Sequence, residues 1–527
     1  MFPLLGLAVL ALVIVGFAFF VRRFPFSSQR VAQSLQEDFH GTVTYSRFHR
    51  QYFPRPGCVA EGVTLVNSSA PSGSPPLVYV RRFTLHANYP DLFLRPGYIS
   101  SIILEGLHIQ IAPRNSATNS TKSQASSQVR VGEVIANDAL LEIAREGGKP
   151  PLVFDIHSLT LNSVSRETSM AYDVAFRNPL PPGEIQSRGH LGPWNLTDLG
   201  QTPVSGTYKF ENADLGVFHG VTGTLSSHDN FQGVLTRIAA HGTVDIPDFH
   251  MTRSVHKLHL QARYDAVVNA FNGDVQLPRV EASFLQTTVV ASGSVAGRPG
   301  QHGKTTSLDM SVHNGRFQDM LRLITQEPRP SLDGIANVHV HVEIPPEGRP
   351  FLKELRVLGD FIIVDGRFTK PDTQKKIVDL SERSRGKKPP ANPDVALNED
   401  IRSSTSGHVV LKNGIATLDR ISFSVPGAVA DMHGTFNVLN EKIDFHGTLK
   451  TAASFSKTAG GVKSIFLKPL DAVFKKKPTG AAIPIKMDGT YANPHPGIEL
   501  TGDKDDKHNS PEKSKNPAES GDTQPQH

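Results

Sequence analysis

The chain has 527 residues, of which 38% are hydrophobic, and its 44 glycines and 38 prolines interrupt it frequently. This composition predicts many short elements and turns, in three or four ordinary domains or in one long repetitive domain. The single cysteine, Cys58, excludes an intrachain disulfide and a cysteine-rich metal site, and a formal net charge of +5 gives no support to a nucleic-acid partner.

The N-terminal segment has the composition of a membrane anchor. Phe2–Val21 lacks charged and strongly polar side chains, and Arg22 and Arg23 follow it directly. Twenty helical residues span about 30 Å, which is the thickness of a bilayer core. We therefore predict an uncleaved transmembrane helix within residues 1–26. Its anchoring residues include Phe2, Leu12 and Val21.

Two alternatives stay open for this segment. A cleavable signal peptide would have a basic region before the apolar run, a shorter run, and a better cleavage site than Gly16-Phe17-Ala18. The arginines after the span would, by the positive-inside rule alone, keep the body of the protein in the cytoplasm. That orientation conflicts with the location inferred below.

A short helix over Ser27–His40 is predicted next, and strand patterns dominate from Gly41 onward. We predict about 25 strands in all. The clearest are Leu77–Leu85, Tyr98–Ile111, Val129–Ala144, Leu152–Val164, Thr207–Leu215, Gly233–Ile246, Leu258–Tyr264, Val275–Val295, Ile335–Ile344, Phe361–Phe368 and Gly407–Leu418. Asn115–Ser127 and Thr501–His527 have the polar composition of disordered segments.

Three later segments have helical periodicity: Phe317–Gln326, Asp372–Ser384 and Gly461–Lys477. The last is amphipathic, with Pro469 inside it and Lys475-Lys476-Lys477 at its end. It could cap the open end of a sheet, or it could touch a membrane or a partner through its apolar stripe and its lysines.

His433–Lys450, which reads HGTFNVLNEKIDFHGTLK, is typical of an antiparallel hairpin with one apolar and one polar face. Its Gly-Thr pair followed by an apolar residue recurs along the chain, which indicates a repeated unit. On each strand of this hairpin, apolar or glycine residues alternate with polar residues, so the apolar ones share one face. The apolar set is Gly434, Phe436 and Val438 on the first strand and Ile443, Phe445, Gly447 and Leu449 on the second.

A sheet of about 25 strands with one apolar face must bury that face, and the few helices cannot cover it. At about 4.8 Å per strand the sheet would extend on the order of 100 Å. We predict a mainly β fold: one N-terminal transmembrane helix, then a long, curled antiparallel β-sheet in the form of a trough, with a few short helices.

Motifs for catalysis are missing from the sequence. It has no Gly-rich phosphate loop, no His-Glu-x-x-His and no Gly-x-Ser-x-Gly. Ser227-His228-Asp229 are adjacent, whereas a triad needs side chains converging from separate segments. His339 and His341 alternate with valines beside Glu343, which favours a polar strand face over a metal site. We expect no enzyme activity, no cofactor and no metal.

Three segments resemble the AsmA-like proteins of the diderm bacterial envelope, including the AsmA-like C-terminal region. They are GPWNLTDLGQTPVSGTYKFENADLGVF (Gly192–Phe218), LKNGIATLDRISFSVPGAVADMHGTF (Leu411–Phe436) and IPIKMDGTYANPHPGIEL (Ile483–Leu500). The resemblance implies a repeating β-groove similar to the bridge-like lipid transfer proteins. It also implies an inner-membrane anchor, a periplasmic body, and transport of phospholipids toward the outer membrane in its biogenesis.

On this hypothesis the partners are phospholipids, the inner membrane and other envelope proteins at the C-terminal end. The groove lining would include Phe436, Val438, Ile443, Phe445 and Leu449. The alternatives are a scaffolding envelope protein with a dry β core and no lipid, and an envelope hydrolase with acidic or histidine residues in a cleft.

The predicted organisation has seven parts. They are an anchor at 1–26, an N-terminal β segment at 27–113, a polar loop at 114–127, a central repetitive β region at 128–385, a linker at 386–400, an AsmA-like C-terminal β region at 401–500 and a disordered tail at 501–527.

Overall fold

The computed structural model describes residues 26–39, 41–67, 77–95, 97–111, 130–144, 150–165, 167–195, 197–218, 220–252, 254–298, 303–346, 350–387, 401–452, 482–491 and 494–498. The predicted anchor with Phe2, Leu12 and Val21, the loop Asn115–Ser127, the helix Gly461–Lys477, the tail and most of the linker lie outside the described residues. Within the described residues, no helix is both long enough and apolar enough to cross a bilayer.

The described chain is mainly β, with 25 strands in one sheet. The strands are β1 Gly41–Thr44, β2 Arg47–Gln51, β3 Gly57–Asn67, β4 Val78–His86, β5 Tyr98–Ile111, β6 Arg130–Ile143, β7 Leu152–Val164, β8 Met170–Pro179, β9 Pro182–Leu191, β10 Pro203–Asp214, β11 Val221–Thr222, β12 Thr224–Val234, β13 Arg237–Met251, β14 Leu258–Val268, β15 Val275–Phe284, β16 Thr287–Gly297, β17 Lys304–Arg316, β18 Leu332–Ile344, β19 Arg356–Phe368, β20 Ser403–Lys412, β21 Ile415–Val425, β22 Ala428–Asn437, β23 Lys442–Thr451, β24 Ala482–Thr490 and β25 Pro494–Ile498.

The α-helices are short. They are α1 Ser28–Phe39, α2 Tyr89–Leu94, α3 Phe317–Ile324, α4 Phe351–Glu354 and α5 Pro371–Ser384. The structure confirms the predicted helices at Ser27–His40, Phe317–Gln326 and Asp372–Ser384, which are α1, α3 and α5. Helices α2 and α4 were not predicted, because six and four residues are too few to show helical periodicity.

Strand order follows chain order almost throughout. β1 and β2 lie end to end along β3, and β11 and β12 lie end to end along β13. Every other strand pairs with its neighbours in sequence. One pair corrects the prediction of a wholly antiparallel sheet: β5 and β6 are parallel, with Tyr98 beside Arg130 and Ile111 beside Ile143.

Buried hydrophobic side chains occur along the whole sheet, and two clusters of them lie toward its ends. At the N-terminal end, Cys58, Val80 and Phe83 are buried together with Phe26, which precedes α1. Burial there raises the pKa of the Cys58 thiol to about 12. At the C-terminal end, half-buried apolar residues of α5 pack on buried side chains of β21–β24. Those buried side chains are Val425, Ala428, Ala430, Leu449 and Ile483.

Candidate functional site

The strand registers place apolar and small side chains on one face of the sheet, here called the apolar face. Residues paired directly across two strands project to the same side, so a row of side chains can be followed from strand to strand. One such row crosses ten consecutive strands, from β15 to β24. It consists of Val280, Ala291, Met310, Val340, Gly359, Val409, Leu418, Gly434, Phe445 and Met487.

A second row of apolar side chains crosses the strands of the N-terminal part of the sheet. It begins at Val43 and passes from strand to strand through Leu65, Val78, Ile109 and Leu141 to Phe154. A third row joins these two across the middle strands, so the apolar face is continuous across the sheet. It runs from Ile156, two residues along β7 from Phe154, to Ala282, two residues along β15 from Val280, through Phe176, Ile185, Phe210, Ser227, Val244 and Ala262. Some side chains of the apolar face are only partly buried in the middle strands, as at Val280, Met310 and Val340, whereas others, such as Phe284 and Val312, are buried.

The opposite face, here called the polar face, carries histidine–carboxylate pairs between neighbouring strands. His241 Nδ1 lies 2.7 Å from Asp265 Oδ1, and His259 Nε2 lies 2.6 Å from Asp245 Oδ1. Hydrogen bonds from His259 and Gln261 lower the pKa of Asp245. Further pairs join His341 to Asp309 and His408 to Asp360, and His157 of β7 reaches across β8 to Glu184 of β9. This face suits contact with water.

Tyrosines lie over glycines on the apolar face. Tyr208 of β10 and Tyr264 of β14 share a hydrogen bond between their hydroxyls, and Tyr208 also bonds Ser227 Oγ at 2.9 Å. Both hydroxyls lie over Gly242 of β13, where a Cβ would be 2.5 Å from one and 2.8 Å from the other. Burial raises the pKa of Tyr208 and of Tyr172, so the hydroxyls of both tyrosines are neutral at physiological pH.

Opposite ends of distant strands touch, which shows that the sheet is bent. We call the strand ends beside α3 and α5 the first rim, and the strand ends beside α4 the second rim. Ser331 at the first rim of β18 bonds Tyr491 at the second rim of β24, with Oγ and the hydroxyl 2.5 Å apart. Six strand spacings would separate these strands by about 29 Å in a flat sheet.

A second contact also joins the first rim to the second rim across six strands. Gly220, before β11 at the first rim, lies against the ring of Phe351, which opens α4 at the second rim between β18 and β19. Along the first rim, Ser254 Oγ also donates to the Arg322 carbonyl of α3 at 2.6 Å. Both contacts between the rims therefore join strand ends on opposite sides of the apolar face, six strands apart.

The hairpin singled out in the sequence is β22–β23, and it is antiparallel as predicted. Phe436 pairs with Ile443, and Gly434 pairs with Phe445. Ile443 and Leu449 are buried, while Phe436 and Phe445 are half-buried. One predicted position is wrong: β22 ends at Asn437, so Val438 lies in the turn, where its N–H donates to the Gly414 carbonyl.

The other sequence candidates do not converge on a catalytic or metal site. Ser227 and Asp229 lie on the apolar face of β12 and His228 on the polar face, since strand residues alternate. His341 pairs with Asp309, and Glu343 pairs with Arg298 and Arg356. The described residues contain no group of three or more histidine, cysteine or acidic side chains that could hold a metal ion.

Comparisons of this chain with protein-family models, curated proteins and solved structures found no match. Its function is therefore argued from its own geometry.

Sequence reasoning missed the tyrosine–glycine cluster. Tyr208 and Gly242 are 34 positions apart and come together only through the pairing of β10, β12 and β13. The recurring Gly-Thr pair was a usable signal, because Gly206-Thr207 and Gly242-Thr243 mark the strands that carry it.

Proposed function

We propose that this protein is a membrane-anchored, lipid-binding β-groove, whose apolar face binds phospholipid acyl chains. The observation that carries the proposal is the continuity of the apolar face across the sheet. Partly buried apolar side chains such as Val280 and Met310 leave some apolar surface in water, and an acyl chain would cover that surface. Each methylene buried there contributes about 0.8 kcal/mol.

The bending of the sheet supports a groove over a flat scaffold. Contacts of Ser331 with Tyr491 and of Gly220 with Phe351 bring strand ends together on either side of the apolar face. In our proposal the sheet is a curled trough, with the polar face outside and lipid head groups at the rims. Movement along it would follow a lipid gradient, and the chain would act as a carrier without catalysis.

The proposed location is the periplasm of a diderm bacterium. Phe2–Val21 would hold the protein in the inner membrane, and the groove would carry phospholipids toward the outer membrane together with other envelope proteins. The composition of the N-terminal segment supports the membrane anchor. The resemblance of the three quoted segments to AsmA-like proteins supports transport from the inner toward the outer membrane.

The alternative function is a scaffold with a dry core. Its specific support is the burial at both ends, where α1 covers strands near β3 and α5 covers β21–β24 without any need for lipid. The two functions differ in what purifies with the protein.

We would purify the full chain gently, count bound lipids by native mass spectrometry, and extract lipid from the same sample. The groove predicts several phospholipids per chain in the wild type and a clear loss in the double variant Phe436→Asp, Phe445→Asp. The matched control, His433→Asp with Thr435→Asp, places the same charges on the polar face of β22 and should keep the wild-type number. A folded wild type that carries no lipid would favour the scaffold.

A further inference from the structure

Three arginines line a cleft at the first rim, at the ends of β17, β19 and β20. Arg316 ends β17, Arg367 lies near the end of β19, and Arg402 directly precedes β20. They line a cavity of about 500 Å³ together with Asp333 and Asp365. We call these five residues and the space between them the rim cleft.

Alternation places Asp333 and Arg367 on the polar face, one residue from Leu332 and Phe368, and the cleft continues around the strand ends toward the apolar face. A second cavity of about 370 Å³ shares Asp333 and Arg367 with the first and is also lined by Phe368. Phe368 pairs with Leu332, and both side chains lie on the apolar face at its edge. A ligand in the cleft would therefore have charged groups at one end and an apolar surface at the other.

The charges in the cleft match a zwitterion. Guanidinium groups bind phosphate through paired, charge-assisted hydrogen bonds, and three of them converge here. Carboxylates bind ammonium groups, and two are present. Arg367 and Arg402 also interact within the chain.

We propose that the rim cleft binds the head group of a phosphoethanolamine-type lipid. The arginines hold the phosphodiester, Asp333 and Asp365 hold the ammonium, and the acyl chains pass Phe368 onto the apolar face. This inference rests on the proposed function, because it names the lipid class that the groove carries and the place where the head group lies.

The test uses the full chain and four soluble probes. They are dioctanoyl phosphatidylethanolamine, dioctanoyl phosphatidylglycerol, glycerophosphoethanolamine and inorganic phosphate, each titrated by calorimetry. The triple variant Arg316→Gln, Arg367→Gln, Arg402→Gln should bind dioctanoyl phosphatidylethanolamine about tenfold or more weakly, because it loses charge-assisted hydrogen bonds. The matched control replaces three arginines of the polar face that do not line the cleft, Arg188, Arg263 and Arg279, by Gln and should stay within about twofold of wild type.

A second variant tests the ammonium contact. Asp333→Asn with Asp365→Asn should abolish the preference for the ethanolamine over the glycerol head group while binding of phosphatidylglycerol persists. Asn is suitable at position 365, where φ is 54°, because it tolerates the left-handed region. Circular dichroism would establish that both variants are folded.

The outcomes separate this inference from the groove. If the triple variant binds both short-chain lipids as wild type does, the rim cleft is wrong and the groove stands. If wild type binds glycerophosphoethanolamine through the arginines but no acyl lipid, the cleft stands as a head-group site and the groove fails. Equal affinity for inorganic phosphate and glycerophosphoethanolamine would overturn the head-group assignment.

Discussion

At the scale of single residues, the Gly-Thr pair marks places where neighbouring strands approach closely. Gly434 pairs with Phe445, and a Cβ at Gly434 would lie only 2.1 Å from the Asp444 carbonyl oxygen. No side chain fits at this distance. Thr435, the next residue, faces the polar side and is exposed. The pair therefore combines a close backbone approach on the apolar face with a β-branched residue in water.

We predict that Gly434→Ala destabilises the protein by about 1–3 kcal/mol, the usual cost of forcing extra atoms into a packed site. The measurement is urea unfolding of the full chain followed by circular dichroism. Gly297→Ala is the matched control, since a Cβ there would meet nothing closer than 3.9 Å. Equal effects of the two substitutions would refute this account of the Gly-Thr pair.

At the scale of elements, periodicity predicted most of the fold. The alternation of apolar and polar residues in Leu258–Tyr264 predicted a strand, which is β14. The helical spacing of apolar residues such as Met320 and Leu321 predicted a helix, which is α3. The parallel pairing of β5 with β6 could not be predicted, because a strand has the same alternation whichever way its neighbour runs. Val438 was placed in a strand because the alternation of apolar and polar residues continues one residue past the end of β22 at Asn437.

The site was predictable only where it is local. The β22–β23 hairpin places Phe436 and Ile443 within one repeat, so the sequence contained their pairing. By contrast, Arg316 ends β17 and Arg402 precedes β20, and these two positions are separated along the chain by α3, α4, α5 and two strands. Their proximity depends on the sheet as a whole.

Helix α5 contains a carboxyl group that should make stability depend on pH. Asp379 is 8% exposed, and its Oδ1 has no hydrogen-bond partner among the described residues. Burial raises its pKa above the ordinary 3.8, although Arg383 and Lys375 partly oppose this. A raised pKa in the folded state means that the protonated carboxyl favours folding at low pH. That contribution disappears as the pH rises through the folded-state pKa.

We therefore predict that Asp379→Asn, which removes the charge with little change in shape, raises the free energy of unfolding at pH 7 by about 1 kcal/mol. The gain should shrink as the pH falls toward 3.8, where the wild-type carboxyl is protonated. Urea unfolding at pH 7 and pH 4 would measure both values. Asp372→Asn, at an exposed position in the first turn of α5, should give no gain. A loss of stability in Asp379→Asn at pH 7 would mean that its charge is net stabilising.

At the scale of the whole molecule, the two contacts between the rims have the same offset of six strands. One joins Ser331 to Tyr491, and the other places Phe351 on Gly220. Twist accumulates from strand to strand in any sheet, so regular bending of a long sheet follows from its length. The sequence contains no local signal for this offset, because each contact joins residues more than 100 positions apart.

Continuity of the apolar face leads to a prediction about transport. If acyl chains lie along the face, a charge in its middle should obstruct movement without unfolding the sheet. Val280 of β15 is suited to this test, because it is half-exposed and far in sequence from both buried clusters. A carboxylate pressed against acyl chains without a partner is unfavourable.

Val280→Asp should therefore slow transfer of fluorescent phospholipid from donor to acceptor vesicles by roughly tenfold, which corresponds to about 1.4 kcal/mol. Ser283→Asp is the matched control, since it places the same charge on the exposed polar face of the same strand and should leave transfer unchanged. Lipids bound near β22 and β23 should stay bound in both variants. If Val280→Asp folds normally and transfers lipid at the wild-type rate, then lipids do not travel along the apolar face, even if they bind to its ends.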